Sequence, residues 1–318
     1  TVKIAVGTHA LFSDDVEFQN LGLVIVDEQH RFGVAQRLAL KNKGRDVHQL
    51  MMSATPIPRT LAMSFFADLD VSVIDELPPG RTPIKTRLVN NVRRAEVEGF
   101  VLNICRKGQQ AYWVCPLIEE SETLQLQTAT ETLEQLQAAL PELNIGLVHG
   151  RMKAAEKAEV MAQFAAGRLN VLVATTVIEV GVDVPNAALM VIEHAERMGL
   201  AQLHQLRGRV GRGAAESVCV LLFAEPLSEL AKARLKVIYE HTDGFEIARQ
   251  DLNIRGPGEF LGARQSGVPM LRFANLEEDL HLLEQAREIA PLLIEQNPEI
   301  VEAHLARWLA SREGYLGV

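Results

Sequence analysis

What this sequence lacks narrows its class before any motif is read. It has only three cysteines, Cys105, Cys115 and Cys219. They are odd in number, lie among apolar neighbours and form no Cys-x-x-Cys pair, which argues against a disulfide framework or a zinc site and makes them reduced core residues. No run of 18 apolar residues occurs, so no membrane-spanning helix is expected. The opening Thr1-Val2-Lys3-Ile4-Ala5-Val6 has neither the charged head nor the cleavage site of a secretory signal, and the expected compartment is the cytoplasm. An excess of positive charge is also missing. A formal net charge of −9 is unsuited to gripping nucleic acid by a general basic surface. The deficit is uneven: residues 1–90 balance at 10 Lys and Arg against 10 Asp and Glu, whereas residues 236–318 hold 8 against 14. Any binding of DNA is therefore expected to need local grooves, or a domain that this chain does not contain. Finally, no Gly-x-x-x-x-Gly-Lys-[Ser/Thr] loop occurs, the element whose backbone amides cradle a nucleotide β-phosphate.

What is present is a repeated alternation of strand, polar turn and helix. At 318 residues and 47% apolar side chains, the chain is long enough for two packed cores. Leu21-Gly22-Leu23-Val24-Ile25-Val26 is an unbroken apolar run that stops at Asp27-Glu28, as a parallel strand buried on both faces would. A second such run, His48 to Met52, ends at Ser53-Ala54-Thr55-Pro56. Around Glu76-Leu77-Pro78-Pro79-Gly80-Arg81-Thr82-Pro83, prolines and a glycine forbid regular structure and predict an extended link. Beyond it the pattern predicts helices near 94–106, 123–140 and 154–166, and strands at 110–116, 145–149, 171–174, 188–193 and 218–223. From about Leu227 helical patterns dominate, interrupted by Arg255-Gly256-Pro257-Gly258. The expected fold class is α/β: two doubly wound parallel-sheet lobes, the first incomplete, then a helical hairpin and a helical C-terminal region. The expected division is residues 1–75 for the first lobe, 76–90 for the link, 91–235 for the second lobe and 236–318 for the hairpin and terminal helices.

Several constellations could carry chemistry. Asp27 and Glu28 close a buried strand, where a carboxylate can hold Mg²⁺ while its neighbour orients water, although an acidic pair there also serves as a solvated turn. Ser53 and Thr55 offer hydroxyls at an adjacent strand end, or simply an N-cap. The densest signal is Gln205-Leu206-Arg207-Gly208-Arg209-Val210-Gly211-Arg212-Gly213, with three arginines and three glycines in nine positions. Glycines let the backbone approach closely while planar guanidinium groups reach phosphate oxygens in pairs, which suits a γ-phosphate sensor.

Taken together these stretches resemble superfamily 2 helicases. Asp27-Glu28-Gln29-His30 is similar to their Walker B sequence, which implies Asp27 on Mg²⁺, Glu28 activating water, and His30 linking nucleotide to the second lobe. Ser53-Ala54-Thr55 resembles motif III, implying that Ser53 and Thr55 report nucleotide state. Gly7-Thr8-His9-Ala10-Leu11 resembles motif Ib and implies that Thr8 touches the DNA backbone. Val148-His149-Gly150-Arg151-Met152 resembles motif IV and its flanks. Ala174 to Pro185 resembles motif V, implying Thr175 and Thr176 on DNA, and Gly181 and Asp183 on the nucleotide. Gln205 to Gly213 matches motif VI and implies ATP contacts from Gln205, Arg209 and Arg212, with Arg212 the arginine finger and Arg209 beside it.

Arg249-Gln250-Asp251-Leu252-Asn253-Ile254-Arg255-Gly256-Pro257-Gly258 through Gln265-Ser266-Gly267 resembles the translocation motif shared by the RecG family and the transcription-repair coupling factor. It implies a hairpin pinned by Arg249 and Arg255, with Gln265 beyond it. The Gly-Pro-Gly form, the Asp-Glu-Gln-His variant and the Glu76–Pro83 link favour the RecG family. That resemblance implies an ATP- and Mg²⁺-dependent helicase acting on branched double-stranded DNA at stalled forks and Holliday junctions, with single-stranded-DNA-binding protein as a partner and no membrane. It also makes the missing phosphate loop an expectation about extent: the chain starts midway through the first lobe, without a branch-recognition domain, and is inactive alone. Two alternatives stay open at this point, the coupling-factor translocase and a non-hydrolysing module whose arginines hold nucleic acid or a partner protein.

Overall fold

A computed structural model describes residues 2–13, 15–28, 43–44, 47–53, 70, 72–74, 76, 83–115, 122–175, 184–213, 216–255 and 280–309. The chain divides into two compact units, Thr1–Ser72 with Gly258–Val318, and Val73–Pro257. In the first, strands β1 (Leu23–Val26) and β2 (His48–Met51) pair in parallel, from Leu23 opposite His48 to Val26 opposite Met51. A single 3-10 turn, His9–Phe12, precedes them.

The second unit is built on six parallel strands: β3 (Lys85–Asn90), β4 (Gln110–Val114), β5 (Ile145–Val148), β6 (Val171–Ala174), β7 (Ala187–Ile192) and β8 (Val218–Phe223). Their order in the sheet is β3-β8-β7-β4-β6-β5. The helices are α1 (Arg94–Arg106), α2 (Glu122–Ala139), α3 (Ala154–Ala165), α4 (Leu200–Arg207), α5 (Glu229–Glu240) and α6 (Gly244–Arg255). Alternate residues of each inner strand enter opposite cores. Ala111, Trp113, Val171, Val173, Leu189, Val191, Val218 and Val220 pack with Val97, Val101 and Ile104 of α1 and with Ala129 and Leu136 of α2. Tyr112, Val114, Leu172, Ala174, Met190, Ile192, Cys219 and Leu221 pack with Phe164, Leu200, Leu203, Leu206, Leu235, Ile238 and Ile247. Covering both faces is why these strands read as continuous apolar runs. Because all six strands are parallel, their carboxyl ends share one edge, where open α/β sheets bind ligands.

The expected divisions need two corrections. Residues 85–90, assigned to the link, form edge strand β3 and pair with β8 from Lys85 to Asn90. Only one of its edges is bonded, so Lys-Thr-Arg-Leu-Val-Asn carries the polar residues an edge tolerates and lacks the apolar signature of an inner strand. The boundary at 235/236 likewise cuts through α5, whose Leu235, Val237 and Ile238 are buried in the same core as Ile247 of α6. Residues 236–257 thus belong to the compact unit that carries the sheet.

Two further helices, α7 (Leu280–Gln296) and α8 (Pro298–Leu309), pack on each other. Pro298 opens α8 at the position where a missing N–H costs nothing. No helix among the described residues is long and apolar enough to cross a membrane.

Candidate functional site

In the first unit, strand pairing sets two polar strand ends side by side. Met52 N–H donates to the Val26 carbonyl at 2.8 Å, so Asp27-Glu28 and Met52-Ser53 leave β1 and β2 together. Asp27 is exposed and its Oδ1 accepts the Glu28 backbone N–H at 2.8 Å. Glu28 turns the chain sharply, with φ at 52°, a left-handed conformation uncommon outside glycine. Among the described residues no three His, Cys, Asp or Glu side chains form a closed metal cage. One exposed carboxylate at a strand end fits a hard cation that keeps most of its ligands as water and phosphate oxygens. Thr8 is exposed at the start of the 3-10 turn and makes no capping hydrogen bond with its side chain. His30 and Thr55 lie outside the described residues.

In the second unit, the carboxyl ends of neighbouring β5 and β6 bring His149 and Thr175 together. Thr175 N–H donates to the Val148 carbonyl at 3.2 Å. Thr175 is 3% exposed, so its side chain is sunk into the strand end rather than spread on the surface. Its Oγ1 and His149 Nδ1 are both buried without a hydrogen-bond partner among the described residues. Unsatisfied buried polar atoms are costly, and two at one strand edge mark a place for an external polar group. Its surroundings are cationic: burial pushes the His149 imidazole below its ordinary pKa, and Lys157 and Arg151 push it further down against the opposing pull of Glu156. Lys157 Nζ is held over this turn by the Gly150 carbonyl at 2.8 Å. From sequence, His149 and Arg151 stood out only as part of the Val148–Met152 stretch, with no role of their own, and Lys157 was not singled out. Thr176, Gly181 and Asp183 lie outside the described residues.

The arginine-rich segment separates into distinct parts. Leu200, Leu203 and Leu206 anchor α4 in the core and Gln205 is half-buried on it. Arg207, its last residue, is 3% exposed and donates to the Ile238 and His241 carbonyls at 2.8 and 2.9 Å. Past the helix, Arg209 is half-buried and Arg212 exposed. The glycines on either side of Arg212 are sterically required. Gly211 has φ of 79° and a Cβ there would come within 2.9 Å of Ile84 Cγ1, while one at Gly213 would strike the Pro185 carbonyl oxygen. The loop is therefore held close to the chain that follows 176–183, and it carries the half-buried Arg209 and the exposed Arg212.

Sequence reasoning also missed a buried charge cluster at the ends of β4 and β7. Glu193, 5% exposed, pairs with Arg94 and accepts Trp113 Nε1–H at 2.9 Å. Arg94 also pairs with Glu98 at 3.0 Å and lies over the Trp113 ring, 5.0 Å from its centroid. Cys115 beside it is pushed up to about 12, first by burial and then by Glu193. Burial raises Cys219 to about 12 and Cys105 to about 11, so all three free thiols are inert core residues. On α6, Arg249 is exposed and its carboxylate partner at 2.8 Å is Glu246 of the same helix, so this ion pair does not pin α6 to another element. The Arg255 side chain and Gln265 lie outside the described residues.

The chain is similar to known helicases. Residues 1–64 match the DEAD/DEAH box helicase model, residues 96–214 the helicase conserved C-terminal domain, and residues 241–309 the model of ATP-dependent DNA helicase RecG, domain 3, C-terminal. The ATP-dependent DNA helicase RecG of Acidithiobacillus ferridurans is 58% identical over 99% of this chain and 46% of its own length. That of Escherichia coli strain K12 is 58% identical with the same coverage, and that of Thermotoga maritima is 55% identical over 90% of this chain and 37% of its own. The chain thus spans a little under half the length of such relatives. A solved structure of RecG bound to a three-way DNA junction aligns with a TM-score of 0.66 and 51% identity, covering 88% of this chain and 36% of that one. The S. cerevisiae Dbp5 structure bound to RNA and ADP BeF3, 15% identical, aligns with a TM-score of 0.52 over 88% of this chain and 66% of its own, and shares the fold alone.

Proposed function

Because this chain belongs to the RecG helicase family, we propose that it supplies the metal-binding carboxylate, the arginine sensor and part of the DNA contact surface of an ATP-dependent helicase that remodels branched double-stranded DNA. The observation that carries the reading is the division of labour among the three arginines after Gln205. Arg207 is buried against backbone carbonyls, and two obligatory glycines shape the loop that carries Arg209 and Arg212. A phosphoryl group in transfer spreads negative charge over its outer oxygens, and planar guanidinium groups stabilise it.

Bound ATP with Mg²⁺ would supply the scissile phosphate and the cation that screens it. Asp27 would hold the cation, and Glu28, oriented by its left-handed turn, would position and polarise water. Gln205 and Arg209 would bind the nucleotide, with Gly181 and Asp183 contributing from the preceding segment. Ser53, Thr55 and His30 would report nucleotide state. The orphaned Thr175 hydroxyl and the His149, Arg151 and Lys157 cluster would receive a DNA phosphate, together with Thr176, and Thr8 a second one. We place the protein in the cytoplasm, with single-stranded-DNA-binding protein as a partner at stalled forks.

The test is DNA-stimulated ATP hydrolysis and three-way-junction unwinding by the complete protein. Arg212→Ala should lower turnover by about 10³-fold while leaving junction affinity within a few-fold of wild type. Near-normal turnover in that variant would remove Arg212 from the role, and a wild-type protein that neither hydrolyses ATP nor unwinds junctions would refute the helicase reading itself.

A further inference from the structure

Arg212 stands between two glycines, each pressed against the entrance of a strand. A Cβ at Gly211 would lie 2.9 Å from Ile84 Cγ1, 3.2 Å from Ile84 Cδ1 and 3.8 Å from Ser217 Cβ, while one at Gly213 would strike the Pro185 carbonyl oxygen. Ile84 directly precedes β3, Ser217 directly precedes β8, and Pro185 stands two residues before β7. These strands are adjacent in the sheet, in the order β3-β8-β7, so the arginine turn crosses their amino ends. The two residues around Gly211 are tied to one another, because Lys85 N–H donates to the Ser217 carbonyl at 3.0 Å. Val210, fully buried, and Ile84 both pack in the core that holds Leu206. The turn is thus anchored through Val210 on one side of Gly211, while Ile84 covers Gly211 itself. Ile84 belongs to the segment that sequence alone assigns to an extended link.

We propose that Ile84 is a positioning residue for Arg212. Its Cγ1 and Cδ1 fill the space that a side chain at Gly211 would take, which gives the turn one place to rest and fixes the backbone from which Arg212 reaches a transferring phosphoryl group. The proposal rests on the helicase reading above, because it deepens the role given there to Arg212. A group that stabilises a transition state acts by being in place beforehand, and a misplacement of about 1 Å can cost about 10²-fold in rate. Loss of the Ile84 contact should therefore appear in kcat and spare KM for ATP.

The experiment uses the complete protein and a synthetic three-way junction. DNA-stimulated kcat, KM for ATP and melting temperature are measured for wild type, Ile84→Val, Ile84→Ala and Ile84→Leu. Ile84→Val keeps a carbon at the Cγ1 position and should stay close to the wild-type kcat. Ile84→Ala removes both contacting carbons and should lower kcat about 10-fold with KM within a few-fold. Ile84→Leu conserves buried volume but adds a methyl to the carbon that faces Gly211, so it should lower kcat with little change in melting temperature. That variant decides the matter if Ile84→Ala does not fold. In an Arg212→Ala background the loss from the Ile84 substitution should vanish, because residues that act as one unit are not additive. A loss that persists undiminished in that background, or kcat that follows only the folded fraction across the variants, would show that Ile84 merely fills the core. Absence of DNA-stimulated hydrolysis in wild type would instead defeat the helicase reading, a separable outcome.

Discussion

His149 shows how much a single side chain draws on the fold. Its own turn contributes Arg151, α3 contributes Lys157 and Glu156, and β6 contributes the buried Thr175 hydroxyl. The net effect keeps the imidazole below its ordinary pKa, hence neutral at pH 7. Two pH trends of opposite sign follow. In the free protein the neutral ring is favoured by folding, so its contribution to stability is present above the unfolded value of about 6.5 and is lost as pH falls through the lower folded value. A bound phosphate reverses the local charge balance, raises the pKa and draws in a proton, so DNA affinity should rise as pH falls, by no more than about tenfold per unit. Melting curves and junction titrations between about pH 8 and pH 5 should show both trends, and His149→Gln should flatten both. An unchanged pH slope of affinity in that variant would remove His149 from the phosphate site. Sequence resemblance pointed to Thr175, but its burial and the cations around it were not legible, because β5, β6 and α3 meet only once the sheet is assembled.

At the scale of elements, legibility followed burial in the second unit, whereas in the first β1 read as a strand buried on both faces and has Leu23 and Ile25 exposed. Strands covered on both faces read as apolar runs, and β8 spans Val218–Phe223 and α1 spans Arg94–Arg106 as the pattern predicts. Edge strand β3 was hidden by its polar alternation and by the prolines before it. The Arg94–Glu193 pair was hidden by sequence distance, since Arg94 meets Glu193 only once α1 packs on the sheet that holds β7. Glu193 fastens three elements: its own strand end, Trp113 of β4 and Arg94 of α1. Glu193→Ala would leave the Arg94 guanidinium in a mostly dry site with only Glu98 for a partner, and would strip Trp113 Nε1–H of its acceptor. Breaking a buried pair costs about 3–5 kcal/mol, and the part-exposed Arg94 with its second carboxylate places the expected loss near the lower end. Replacing both partners, Arg94→Met with Glu193→Leu, should recover part of it, because the buried cation is removed with its carboxylate, while Glu98 loses its arginine and Trp113 Nε1–H its acceptor. Chemical denaturation of Glu193→Ala, of Arg94→Met and Glu193→Leu singly and of the double variant checks this. Strictly additive losses would mean the two side chains act independently.

The whole molecule is organised differently from its visible punctuation. The proline-rich link suggested a boundary extending to residue 90, and the end of the strand pattern suggested another near residue 235. The compact unit instead runs from Val73 to Pro257, because β3 completes the sheet and α5 and α6 complete one of its two cores. Helices that close a core are hard to recognise as such in sequence, since an amphipathic stripe looks the same whether it faces its own domain or a neighbour. Excising the two candidate units separates the possibilities. A chain of residues 73–257 should fold in one cooperative thermal transition. A chain of residues 91–235 would lose β3, exposing the edge of β8, and would lose Ile238 and Ile247 from the core. It would also leave the buried Arg207 without the Thr86 hydroxyl and the carbonyls of Ile238, His241 and Thr242. With a buried cation unpaired and a sheet edge uncovered, it should aggregate or populate an expanded state that binds hydrophobic dyes. Equal cooperativity in the two chains would return the boundaries to where the prolines and the last strand seemed to put them.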